Sequence, residues 1–119
     1  MKIGIIGAGF VGLTFAAVIA SKKIPVLLMD KDIEKIKTIE SKKAPFYEPK
    51  LTKLIKKTNF ELITNHDIET ILKKCNIIFL TIGTPNNKDD SPNLTNLIEF
   101  THQLGRNLKK VKNNPTIVI

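Results

Sequence analysis

An α/β fold, a doubly wound and mainly parallel sheet with helices on both faces, is predicted by three features of this chain. Short apolar runs alternate with segments that keep helical spacing. The runs lack the in–out alternation of a strand with one wet face, so they read as strands buried on both faces, as a parallel sheet requires. The third feature is a glycine-rich corner, Gly7-Ala8-Gly9-Phe10-Val11-Gly12, between the first apolar run and the first helical segment. Right-handed crossovers then distribute the helices over the two faces.

The first strand is read over Lys2–Ile6 and the first helix over Val11–Ser21, which is rich in small residues. Val26–Met29 is a second buried strand. Asp32 is placed to cap a helix running to about Ser41, with Ile33, Ile36 and Ile39 turned inward. Ala44–Pro49 holds two prolines and reads as a loop. Lys50–Lys57 follows as a short helix with Leu51, Leu54 and Ile55 on one face, and Phe60–Ile63 as a third strand. Ile68, Ile71 and Leu72 mark a short helix before Cys75, and Ile77–Ile82 is the clearest strand of the chain. Gly83–Asn93 reads as a polar loop. Leu94, Leu97, Ile98, Thr101, Leu104 and Leu108 then keep helical spacing to about Lys110, and Thr116–Ile119 begins a fifth strand.

At 119 residues the chain is at most one small domain, and its 42% hydrophobic content is that of ordinary globular material. Its single cysteine excludes an internal disulfide and fits a reducing cytosol. No signal-peptide pattern and no apolar stretch of spanning length stands out, so a membrane partner is not expected. The net charge of +8 comes almost wholly from lysine, Arg106 being the only arginine. The lysines fall in pairs near helix ends. Solvated helix faces and C-terminal dipole partners account for them, against the alternative of a polyanion surface, and no nucleic-acid partner is expected.

The glycine corner has the context that makes it meaningful, with a strand before it and a helix after it. Gly7 takes the tight turn. Gly9, without a Cβ, lets a pyrophosphate approach the backbone, and Gly12 lets the helix lie close to the sheet. The N–H groups of Phe10 and Val11 then face anionic oxygens at the positive end of the helix dipole. Asp30 ends the second strand, where a carboxylate accepts from the adenosine ribose hydroxyls. It repels a 2′-phosphate, which favours NAD over NADP, although Lys31 and Lys35 stand within reach of a phosphate. The pattern is that of a Rossmann-type dinucleotide domain.

Two further stretches, "KKAPFYEPKL" at Lys42–Leu51 and "IIFLTIGTP" at Ile77–Pro85, together with the glycine corner and Asp30, resemble the UDP-glucose/GDP-mannose dehydrogenase family over nearly the whole chain. The family usually has glycine where this chain has Lys50, and often a DGS sequence at Asp89–Ser91. The resemblance implies a pyrophosphate contact at Val11, the adenosine ribose at Asp30, the adenosine moiety beside Lys35, and the cofactor near Thr84 with its neighbours Gly83 and Pro85. For Glu48 it leaves open a direct role or a tie for the loop before the short helix. It also implies a UDP-sugar substrate, UDP-glucose oxidised to UDP-glucuronate with two NAD⁺ reduced, and a homo-oligomer. GDP-mannose, UDP-N-acetylmannosamine, other dehydrogenases with the same glycine corner and a stand-alone nucleotide-binding module are the alternatives.

The family's chemistry runs through a nucleophilic cysteine in a Gly-Gly-x-Cys context of a later domain. Cys75 does not match it and reads as structural, and neither His66 nor His102 has a partner pattern. Residues 1–119 are therefore expected to be an incomplete cofactor domain, truncated after about five strands, with no catalytic residue, no metal site and little or no activity alone. The last strand, lacking a covering helix, predicts self-association.

Overall fold

The computed structural model describes residues 1–64 and 67–119. His66 lies outside the described residues. Five strands alternate with helices: β1 (Ile3–Ile6), α1 (Phe10–Ser21), β2 (Val26–Met29), α2 (Ile33–Glu40), α3 (Pro49–Lys57), β3 (Glu61–Ile63), α4 (Ile68–Lys74), β4 (Ile77–Leu80), α5 (Thr95–Leu108) and β5 (Thr116–Val118). The strands form one sheet in the order β3-β2-β1-β4-β5, and every neighbouring pair is parallel.

Strand parity divides the core in two. Ile3, Ile5, Val26 and Leu28 face one side, where Leu13, Ala16 and Ala17 of α1 and Leu51 and Ile55 of α3 cover them. Ile6, Leu27, Met29, Ile78 and Leu80 face the other, under Ile68, Ile71 and Leu72 of α4 and Phe100 and Leu104 of α5. The register keeps these sets aligned, with Ile3 opposite Val26 and Ile6 opposite Met29. A one-residue slip would exchange the two faces. On the α1 face of the sheet Phe79 meets Phe15 edge-on, centroids 4.8 Å apart.

Side chains settle the helix ends. Asp32 caps α2 by accepting from the Lys35 N–H at 3.1 Å, and Asp67 caps α4 through Thr70. Pro49 opens α3, where its missing N–H costs nothing, and Lys50 follows inside the first turn.

Three expectations are corrected. Ile33 is 48% exposed rather than inward, because it opens α2 before the helix reaches the sheet. On α5, Leu94 and Ile98 are exposed, as is Thr101, while Phe100 is buried. The line Leu97–Phe100–Leu104–Leu108 satisfies helical spacing as well as the predicted one, and the large Phe100 ring decides between them. β4 ends at Leu80 rather than Ile82, although Thr81 still donates its N–H to the Ile6 carbonyl and its hydroxyl to the carbonyls of Ile6 and Gly7.

Candidate functional site

The strand ends build the site. Ile6, Met29 and Leu80 lie level in adjacent strands, and the pairing continues one residue further. The Gly7 N–H donates to the Met29 carbonyl and the Thr81 N–H to the Ile6 carbonyl, both at 2.8 Å. Gly7, Asp30 and Thr81 therefore stand side by side where β1, β2 and β4 end. This is the crevice beyond the carboxyl ends of the strands where the strand order reverses.

Each glycine of the corner has a separate physical task. Gly7 has φ +107°, and a Cβ on it would lie 2.6 Å from the Thr81 carbonyl oxygen. A Cβ on Gly12 would lie 1.9 Å from the Gly7 oxygen and 2.4 Å from Thr81 Oγ1, so only glycine lets α1 pack this closely. Gly9 is the opposite case: a Cβ there would meet nothing of the described residues within 4 Å. The space over Gly9 is open, and α1 starts at the next residue with no side-chain cap. By helix geometry the first-turn N–H groups, Phe10 and Val11 among them, lack intrahelical acceptors. This open, dipole-positive corner fits a pyrophosphate.

Asp30 holds the corner in place. It is 9% exposed. Its Oδ2 accepts from the Ala8 N–H at 2.6 Å and its Oδ1 from the Asp32 N–H at 2.8 Å. The Lys35 ammonium lies 3.5 Å from Oδ2. The carboxylate thus ties the glycine loop to the turn after β2, and its remaining lone pairs are available to ribose hydroxyls.

A cleft of about 710 Å³ opens over these residues. Gly7, Gly9, Phe10 and Val11 form one wall, and Asp30, Lys31 and Lys35 the rim beyond β2. Ile6, Met29, Thr81, Ile82 and Gly83 line its base, and Asn96, Glu99, Phe100 and Gln103 of α5 the far wall. Of the residues expected from sequence, Gly12 sits behind the corner, packed on Gly7. Thr84 and Pro85 follow Gly83 as exposed loop residues and do not line the cleft. Glu48 caps α3, accepting from the Lys50 N–H at 3.2 Å, which is the loop-tying role. The Lys42–Leu51 stretch nevertheless reaches the corner, because the Phe46 ring lies 5.5 Å from that of Phe10.

The α5 wall was missed from sequence. Asn96, Glu99 and Gln103 flank the buried Phe100 at helical spacing, and a correct choice of the inward stripe would have found them. Cys75 is buried beneath α4, and burial pushes its thiol up to about 11, outside the range of a nucleophile at neutral pH. His102 is exposed on α5. Among the described residues no His, Cys, Asp and Glu cluster could hold a metal ion, and no helix is long and apolar enough to cross a membrane.

Comparison with known proteins agrees with this geometry. The model of the UDP-glucose/GDP-mannose dehydrogenase family, NAD binding domain, matches residues 1–119. A UDP-glucose 6-dehydrogenase of Drosophila melanogaster is 43% identical over 88 residues, covering 71% of this chain and 18% of that protein. A UDP-glucose 6-dehydrogenase of Bacillus subtilis, TuaD, is 30% identical over 123 residues, covering 99% of this chain and 27% of its own length. The chain thus spans about a quarter or less of these curated relatives. A GDP-mannose dehydrogenase from Pseudomonas aeruginosa, solved as a ternary complex, superposes with a TM-score of 0.89 at 24% identity, covering 98% of this chain and 27% of that one. At that identity the likeness speaks for the fold.

Proposed function

We propose, from the premise that this chain belongs to the UDP-glucose/GDP-mannose dehydrogenase family as its NAD-binding domain, that it serves an enzyme oxidising UDP-glucose to UDP-glucuronate. The observation that carries the cofactor reading is the open space over Gly9 beside a carboxylate at the tip of β2. The sugar reading rests on the relatives, several of which are UDP-glucose 6-dehydrogenases.

In this reading the first-turn N–H groups at Phe10 and Val11 take the pyrophosphate oxygens, and Gly7, Gly9 and Gly12 shape the backbone that allows it. Asp30 accepts from the adenosine ribose and disfavours a 2′-phosphate, and Lys35 lies beside the adenosine. Gly83 borders the cofactor from the β4 side, and the expected contacts of Thr84 and Pro85, which follow it outside the cleft, would need the loop to turn toward the cofactor. When bound, NAD⁺ supplies a hydride acceptor. The residues of this chain bind and orient it, and Cys75, buried with its thiol pushed up to about 11, does not serve as the nucleophile. Catalytic groups and the UDP-sugar site belong to other domains, and the working enzyme is a cytoplasmic homo-oligomer.

Calorimetric titration with NAD⁺, NADP⁺ and ATP tests the cofactor reading. NAD⁺ is expected to bind most tightly, and preference for ATP would support a stand-alone nucleotide-binding module instead. The chain mixed with UDP-glucose and NAD⁺ should produce no NADH absorbance. Turnover by these residues alone would refute the placement of the catalytic groups elsewhere.

A further inference from the structure

The parallel fold brings the paired lysines together. Every helix runs back against the strands, so all five helix C-termini emerge at one end of the molecule, opposite the cleft. Lys22–Lys23 follow α1, Lys42–Lys43 follow α2, Lys56–Lys57 and Lys73–Lys74 close α3 and α4, and Lys109–Lys110 follow α5. Hydrogen bonds fix this common level. Lys42 Nζ donates to the Thr58 carbonyl at 2.7 Å, and Asn113 Nδ2 to the Leu72 and Cys75 carbonyls at 2.8 Å. With Lys2, Arg106 and Lys112, thirteen of the 19 basic residues stand at this end, against three of the 11 acidic ones, Glu40, Glu61 and Glu69. The whole net charge of +8 therefore resides there.

Helix dipoles do not account for so much charge. Five C-termini contribute about half a negative charge each, roughly −2.5 together. That is about a quarter of the local excess. Nor is the excess neutralised by ion pairs. Glu61 takes Lys2 and Lys74, and Glu69 takes Lys73, but the lysine pairs after α1, α3 and α5 have no carboxylate partner among the described residues.

We infer that this end binds the phosphate backbone of nucleic acid without sequence preference, independently of the cofactor cleft. Lysine ammoniums on flexible stems neutralise phosphates as point charges, and electrostatics alone supplies non-specific binding. With Arg106 the only arginine, the bidentate base contacts that read sequence are not provided for. A membrane surface fits less well, because stable anchoring needs a second, apolar signal. Phe10, Val11, Tyr47 and Leu94 are exposed at the cleft end, and near the lysines the exposed apolar side chains Met1 and Val18 stand on separate elements and form no continuous apolar patch with a second anchor.

The test is fluorescence anisotropy of the chain with a labelled 20-base-pair duplex of mixed sequence, over a salt series. With about four phosphates neutralised, the log–log salt slope is about −3.6, so affinity falls on the order of 100-fold between about 50 and 200 mM salt. A second, unrelated duplex should bind equally, and saturating NAD⁺ should change nothing. The variant Lys56→Gln/Lys57→Gln/Lys109→Gln/Lys110→Gln should lose about tenfold or more in affinity and flatten the slope. The variant Lys50→Gln/Lys53→Gln/Lys88→Gln, which removes lysines outside the last helical turns, should bind as the parent does to within about twofold. Equal losses in the two variants, competition by NAD⁺, or binding to phosphatidylserine vesicles but not to duplex would each overturn the inference.

Discussion

Replacing Asp30 by asparagine separates the two tasks assigned to that side chain. The carboxylate accepts from two backbone N–H groups, Ala8 at 2.6 Å and Asp32 at 2.8 Å, one on each oxygen. An amide of the same shape offers one acceptor oxygen and one NH₂. Whichever way it turns, one backbone donor faces another donor. A hydrogen bond to a charged group contributes about 1.5–3 kcal/mol, and a buried donor left unpaired costs about 1–3 kcal/mol. Asp30→Asn is therefore expected to destabilise the fold by about 2–3 kcal/mol, a large share of the roughly 5–15 kcal/mol typical of a domain. Urea denaturation measures the loss, and the Ala8 amide proton should move upfield as its charged acceptor disappears. NAD⁺ affinity should fall as well, because the loop and the ribose contact are perturbed together. Unchanged stability with lost binding would reduce Asp30 to a ribose ligand. Unchanged binding with lost stability would leave it only the loop-bracing task.

The glycine corner gives a paired test. Gly9→Ala places its methyl in open space, so stability should hold while NAD⁺ affinity drops at least about tenfold, whereas Gly12→Ala drives a methyl into the Gly7 carbonyl and should cost about 3 kcal/mol or more in denaturation. Thr14 Oγ1 is buried without a hydrogen-bond partner among the described residues, and Thr14→Val should raise stability by about 1 kcal/mol; a loss in the melting curve would mean the hydroxyl has an acceptor. Lys23 follows α1 with φ 61°, a conformation that favours glycine, so Lys23→Gly should stabilise by about 0.5–1 kcal/mol in the same assay. Hydrogen bonds from Lys2 and then Lys74 hold the Glu61 carboxyl below its ordinary value of 4.5. Its contribution is therefore present above that value and is lost as pH falls through the lowered one. Glu61→Gln should flatten the acid limb of a stability–pH profile, and an unchanged limb would remove Glu61 from its cause.

What the sequence discloses follows the range of each interaction. The strands were legible because burial on both faces leaves an apolar run that needs no partner to be recognised, and β2 is found where it was expected, Val26–Met29. The glycine corner was legible because its spacing is local. The bracing of Ala8 by Asp30 was not, since it joins residues 22 apart through a hydrogen bond that only the register of β1 on β2 creates. The α5 wall was misread because two stripes on one helix satisfy the same period, and the sheet that chooses Phe100 is distant in the chain. The lysines show the same limit from the other side. Each pair, taken alone, is an ordinary partner for a helix end. Only the all-parallel order makes five such ends coincide, and only then does their summed charge exceed what the dipoles can hold. The topology therefore separates two surfaces by chemistry, a cleft of backbone N–H groups and one buried carboxylate at the strand tips and a lysine-covered face where the strands begin. In the proposed readings the first surface meets the pyrophosphate of a dinucleotide and the second the phosphate backbone of nucleic acid.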